Sequence, residues 1–404
     1  MNSSKNVESY DFKLKLLSPA FLGGAMDEKI QTNYGEAAYR RIGSDGDGFR
    51  IPSLRGILRF WYRSLHADLP VEKLKAEESK LFGGTEIGQG IRIIPLAQSK
   101  WLPKKIGSGG IEAGPAEVYL GYGPILWDRN EQGFTSHHKF LYRDVIPDDT
   151  EFCFRASGNS YQIDELKKIL GIIHLFGGIG SRSRRGWGAL SVMPNNLPEN
   201  DSGESLHDWI RKAFHSICSI SLTRNIPKYT AFSRHTQYMV FNPDQQNWKN
   251  IFQSFYNQFK KVRIWQRRSQ VQPKFAKQDH NLARDQLRVR EINDVPKRMG
   301  YGYPYKIRFR NGGTVEYKAL KKKSGTEDVT ILSRRGSPLL LSMSMTPRGR
   351  LFGIALYLKS RYWGDDSVLM GKKGQDKKTY KPISITDEAV QSFMEKGIYL
   401  EEGK

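Results

Sequence analysis

Apolar and basic residues alternate over Phe12-Lys13-Leu14-Lys15-Leu16, the period of a strand with one buried face. The period then changes. Leu54, Ile57, Leu58, Trp61 and Leu65 share one face of a helix opened by Pro52 and Ser53, with Ser53 as the expected N-cap. Glu151 to Ala156 predicts a further strand. Asp164 to Phe176 predicts a helix, whose Ile169, Ile172, Ile173 and Phe176 run into a glycine-rich loop. Beyond it, Leu206 to Phe214 reads as an amphipathic helix and Thr236 to Phe241 as a strand. A helix from Asp244 to about Lys261 follows, with Trp248, Ile251, Phe252, Phe255 and Phe259 on one face. Pro338 to Met345 and Leu351 to Leu358 form a hairpin around Thr346-Pro347-Arg348-Gly349, and Ser384 to Lys396 is a last helix. A strand and then a helix open both halves, which predicts a duplicated α+β unit rather than one large sheet. Turn formers crowd residues 195–203, so the boundary is placed there, between domains 1–197 and 204–404.

Charge sharpens this picture. The 404 residues carry a formal net charge of +22 and a pI of about 9.8, which favours a polyanionic partner. No uninterrupted apolar stretch approaches the roughly twenty residues needed to span a bilayer, and Met1 to Lys5 lead into no signal-peptide core. Cys153 and Cys218 are too few for a disulfide framework or a zinc knuckle. The expectation is a soluble, reduced, cytoplasmic protein with no membrane partner.

The loop from Phe176 to Val192 concentrates the binding chemistry. Gly177, Gly178, Gly180, Gly186 and Gly188 are interleaved with Ser181, Arg182, Arg184, Arg185 and Trp187. Glycines allow the backbone to turn its N–H groups inward as an anion nest. Arginines supply bidentate phosphate contacts, and an indole offers a face to a base. A P-loop is excluded, because these glycines follow a helix and enter a strand. A tight turn with solvated arginines is the plain alternative. Arg185-Gly186-Trp187-Gly188 copies the start of an RNA-recognition strand motif, but Ala189 and Val192 stand at its later aromatic positions. Nucleic acid gripped by the loop, not by a sheet face, is the expectation. Arg55, Arg59 and Arg63 recur every fourth position on a second helix face without interleaved acids. Between Lys260 and Arg310, basic residues and aromatics mix in a way that suits single-stranded nucleic acid, or a solvated insertion.

Catalytic signatures are weak throughout. Asp45-Gly46-Asp47-Gly48 lacks the remaining ligands of a calcium loop, and His137-His138 has no carboxylate or cysteine at ligand spacing. His207-Asp208 is more simply a helix start, and Gly364-Asp365-Asp366 lacks a companion carboxylate for two-metal chemistry. No metal, cofactor or catalytic residue is expected.

Three blocks carry a resemblance: Pro52 to Arg63, Gly177 to Gly188, and Arg334-Arg335-Gly336-Ser337-Pro338-Leu339. Together with Leu17 to Ala25 they resemble the RAMP superfamily, specifically subunits of type III-B CRISPR (Cmr) effector complexes. The resemblance implies an α+β fold of two tandem ferredoxin-like (RRM-like) domains with insertions, the basic one lying around 263–304. It implies a non-catalytic RNA-binding subunit that holds the 3′ part of the guide RNA and its paired single-stranded target RNA in antiviral defence, beside other RAMP subunits. Arg55, Arg59, the loop from Gly177 to Trp187 and, more weakly, Arg63, Arg334 and Arg335 become the RNA-binding set. The alternative is a metal-independent RAMP endoribonuclease processing guide-precursor RNA, for which His137, His138 and His174 are the places to look. On its apolar helix, His174 also reads as a core histidine.

Overall fold

The computed structural model describes residues 7–22, 28–32, 35–39, 49–84, 88, 90–96, 104, 111, 113–127, 139–141, 145–194, 197–199, 203–218, 222–263, 274–287, 294–302, 305–309, 314–322, 329–332, 336–361, 368–372, 375–377 and 385–401. The chain starts with β1 (Glu8–Leu16), the hairpin β2 (Glu28–Thr32) and β3 (Gly35–Tyr39), and helices α1 (Ile51–Leu65) and α2 (Val71–Phe82). Strand β4 (Arg92–Pro95), helix α3 (Pro115–Leu120), and the pair β5 (Ile125–Trp127) and β6 (Lys139–Leu141) come next. Then β7 (Glu151–Gly158), α4 (Ser160–Phe176) and β8 (Leu190–Met193) complete the first half. The second half begins with α5 (Leu206–Ile217), β9 (Gln237–Gln245), α6 (Trp248–Val262), α7 (Lys274–Gln286) and a 3-10 turn (Lys297–Tyr301). It continues through β10 (Tyr305–Arg308), β11 (Thr314–Lys322), β12 (Val329–Leu332), β13 (Leu339–Met345) and β14 (Leu351–Tyr357). It ends with β15 (Val368–Lys372), β16 (Gln375–Lys377), α8 (Glu388–Phe393) and β17 (Ile398–Tyr399).

The alternation in β1 does what its period requires. Phe12, Leu14 and Leu16 are buried, and Phe12 and Leu14 stand opposite Phe154 and Phe152 of antiparallel β7. On the outer face, ion pairs join Arg155 to Asp11 at 2.6 Å, Lys13 to Glu151 at 3.2 Å and Lys15 to Asp149 at 2.9 Å. The antiparallel sheet runs β4-β7-β1-β8, with α1 between β1 and β4 and α4 between β7 and β8. That is the βαββαβ ferredoxin-like arrangement. A second sheet, β13-β14-β9-β17, repeats the order with α6 and α8 in the helix positions.

Helix α4 joins the two units. A capping box of Asn159 and Gln162 starts it earlier than its apolar pattern suggests, and 11 of its 17 residues are buried. Its C-terminal half, Ile169 to Phe176, is buried on all sides because the helix packs on its own sheet through β7 and β8 and on β13 and β14 of the second. His174 completes the join. The Val192 N–H donates to its Nδ1 at 3.0 Å, and its Nε2 lies 2.8 Å from the Met345 carbonyl. His174 is therefore the core histidine that its apolar helix suggests.

Several boundaries are corrected. Helix α1 starts at Ile51 with Arg50 at the N-cap, because Pro52 is accommodated in its first turn and Ser53 lies inside the helix. Helix α6 starts at Trp248 behind an Asn247 cap, because β9 runs on to Gln245. The last helix shortens to Glu388–Phe393. Two insertions, one after α6 and one after β14, meet through the β11–β15 pairing and build a third sheet that no local pattern predicts. No described helix is long and apolar enough to cross a membrane.

Candidate nucleic-acid interface

The loop between α4 and β8 is knitted into both units. Its Ile179, Ser181 and Gly188 N–H groups donate to Gly188, Phe21 and Pro19 carbonyls at 2.7, 2.9 and 2.9 Å. Those of Arg185 and Ala189 go to the Arg182 carbonyl and to Ser18 Oγ. Across the seam, Ser342 Oγ donates to the Gly177 carbonyl and the Leu341 N–H to the Arg184 carbonyl. These bonds correct the anion-nest expectation: the main-chain donors are largely engaged inside the fold. The glycines serve close approach instead. At Gly188, with φ of +67°, an added Cβ would stand 2.1 Å from the Ile179 carbonyl oxygen.

Trp187 is likewise corrected as a base-stacking platform. It is 0% exposed, lying 4.6 Å from Phe21, 5.1 Å from Phe252 and 6.0 Å from Trp248, ring centre to ring centre. Its position beside Gly186 and Gly188 lets it drop from the loop into the core that the two units share.

The arginines point out of this anchored loop in two directions. Arg184 extends over the Phe60 ring at 4.6 Å and donates to the Ser337 carbonyl at 3.3 Å. It lines a groove of about 690 Å³ with Arg59, Arg63, Lys75, Tyr229 and Gly336. All three resembling blocks therefore meet here: α1, the glycine loop and the segment before β13. Arg182 and Arg185 instead face a pocket of about 320 Å³ with Arg263, Tyr119, Tyr122 and Tyr256. Burial lowers the affinity of Arg184 for its proton, and burial with the nearby Arg263 charge brings Arg185 down to about 10. Both stay cationic at neutral pH.

The α1 stripe is more internally engaged than its sequence implies. Arg55 donates to the Phe82 and Ile91 carbonyls at 3.4 and 3.3 Å. Arg59 donates to the Gly83 carbonyl at 2.6 Å and pairs with Glu78 at 3.4 Å, while Arg63 reaches the same carboxylate at 3.1 Å. The compensating acid thus comes from α2, not from α1 itself. Arg63, with 44% of its side chain exposed, is the more open of the two arginines that share Glu78.

Glu78, Arg263 and the three tyrosines are site residues that the sequence alone does not single out; only the basic, aromatic-rich character of the 260–310 stretch hints at Arg263. Arg334, Arg335, His137, His138, Asp45 to Gly48 and Gly364-Asp365-Asp366 lie outside the described residues. Among the described residues, no group of three or more His, Cys, Asp or Glu side chains is arranged to hold a metal.

Residues 13–191 match the sequence profile of the RAMP superfamily. The crystal structure of Cmr1 from Pyrococcus furiosus in its apo form aligns over 98% of this chain and 98% of its own, at 15% identity and a TM-score of 0.50. A cryo-EM structure of the Type III-B Cmr-beta bound to cognate target RNA aligns over 96% of this chain and 98% of its own, at 12% identity and a TM-score of 0.46. Cmr6 from Pyrococcus furiosus covers 47% of this chain at 13% identity and a TM-score of 0.23. No curated protein sequence matches the chain. The RAMP-superfamily match thus lies in the first half of the chain, and the α+β fold, with its two four-stranded antiparallel sheets, resembles that of Cmr1 at low sequence identity.

Proposed function

We propose that this protein is a non-catalytic RNA-binding subunit of a type III-B CRISPR ribonucleoprotein, holding the 3′ part of the guide RNA and its paired target beside other RAMP subunits. One observation carries the reading: a rigidly anchored loop aims Arg184 into one basic groove and Arg182 and Arg185 into another, on a chain with a net charge of +22. Guanidiniums held by a rigid backbone bind phosphates without sequence preference, which suits a subunit that must accept any guide. The outer sheet face, which an RNA-recognition domain lines with aromatics, carries three exposed ion pairs here, which favours the loop. In the same reading the units divide near 197–204, since the strands of the first sheet precede that stretch and those of the second follow it.

The endoribonuclease alternative loses His174 as an acid or base. Both its ring nitrogens are engaged in the core, and burial depresses its proton affinity. Purification of the tagged protein from its native host tests the proposal. Short RNAs with uniform 5′ ends and several RAMP proteins are expected to accompany it. Recovery of the chain alone, without RNA, would count against it.

A further inference from the structure

The pocket on the α3–α6 side of the loop contains more than a phosphate site requires. Arg182, Arg185 and Arg263 converge on it, and among the described residues neither Arg185 nor Arg263 has a carboxylate within ion-pair distance. Arg263 Nη1 is buried and makes no hydrogen bond to a described residue. The nearby buried acid, Asp279, is committed to Arg298 at 2.7 Å and to the Lys297 N–H at 2.8 Å. Burying Arg185 and Arg263 with no described carboxylate beside either is costly, only partly offset by the Phe259 and Tyr301 rings that their guanidiniums lie over, and a ligand carrying negative charge would lower that cost.

The remaining walls are aromatic. Tyr119 and Tyr256 lie 5.6 Å apart, ring centre to ring centre, and Tyr122 stands at the mouth, 51% exposed. Gly123, with φ of +114°, makes room for Arg182, since a Cβ there would stand 2.4 Å from Arg182 Nη2. Phenol rings beside guanidiniums fit a planar base joined to a phosphate. A cavity of about 320 Å³ admits one such unit, not a duplex.

We infer that this pocket receives a single nucleotide splayed out of a single-stranded RNA, its phosphate on Arg182, Arg185 and Arg263 and its base against Tyr119, Tyr122 and Tyr256. This rests on the RNA-binding reading and adds a discrete one-nucleotide subsite to it. The subsite is distinct from the Arg59/Arg63/Arg184 groove on the other side of the loop.

Calorimetric titration of the full chain with UMP, AMP and uridine tests it, alongside anisotropy with fluorescent decauridylate. Both monophosphates are expected to bind one per chain, and uridine, lacking phosphate, far more weakly. Decauridylate should displace UMP competitively. Tyr122→Ala, at an exposed position, should weaken both monophosphates roughly fivefold to a hundredfold, as expected for removal of one stacking partner. Arg263→Lys keeps the charge but removes the planar fork, and should weaken UMP by about tenfold or more in a variant that thermal melts show to be folded. Retained decauridylate binding with no UMP binding, or UMP and decauridylate binding together, would overturn the subsite and leave the RNA-binding reading intact. Loss of both would overturn the reading itself.

Discussion

Replacing Trp187 by alanine separates a core role from an RNA contact. The indole is fully buried between Phe21 of the first unit and Trp248 and Phe252 of the second, so its removal empties the centre of a cluster to which both contribute. A buried tryptophan truncated to alanine costs about 3–5 kcal/mol. For 404 residues unfolding as one cooperative unit, an unfolding entropy of about 2.1 cal/mol/K per residue gives roughly 0.85 kcal/mol per kelvin. The melting temperature should therefore fall by roughly 4–6 °C, while the folded variant keeps its affinity for single-stranded RNA within about twofold. Trp187→Phe should recover part of the loss, because Nε1 has no acceptor among the described residues and its deletion leaves nothing unpaired. Differential scanning calorimetry and anisotropy at one salt concentration read both quantities. An unchanged melting temperature with a tenfold loss of RNA affinity would refute the buried position.

Arg59→Ala should destabilise by about 1–2 kcal/mol in denaturant titrations, because it removes the Gly83 carbonyl bond and half of the Glu78 pairing, whereas a purely solvated arginine would cost almost nothing. Gly188→Ala should destabilise by about 1–3 kcal/mol or more through its clash with Ile179, and clearly more than Gly203→Ala, which shares a positive φ but meets open space; equal effects in thermal melts would remove the steric argument. His174 is held neutral in the fold, its affinity for a proton lowered below the ordinary 6.5 by burial, so the unfolded chain takes up the proton first. Its contribution is complete above about pH 6.5 and is lost as pH falls through the window below, by up to about 1.4 kcal/mol per pH unit, and the slope should be shallower in His174→Gln.

What could be read from the sequence was local. The alternation in β1, the apolar face of α1, the β13–β14 hairpin and the helix–loop–strand run through the glycines each declare themselves within a few residues. What could not be read was decided by partners far along the chain. Trp187 among glycines and arginines has the local signature of a stacking residue, and only Trp248 and Phe252, which pack against it, reveal it as core. The arginines of α1 lack acids on their own helix, yet Glu78 reaches them from α2. The third sheet escapes a local reading because its central strands, β11 and β15, come from separate insertions. Donors on loop glycines resemble an open nest until Phe21 and Pro19 are seen to accept from their neighbourhood.

The salt dependence of single-stranded RNA affinity in the Arg182→Ala/Arg184→Ala/Arg185→Ala variant tests the central claim most directly. On a single strand, each phosphate that the protein ceases to neutralise changes the log–log salt slope by about 0.7, so freeing two or three phosphates should flatten it by roughly 1.4–2.1, equally for unrelated sequences. Melts run beside the titrations establish that the variant is folded. A folded variant with wild-type affinity and slope would contradict the account and remove the loop from the RNA-binding surface.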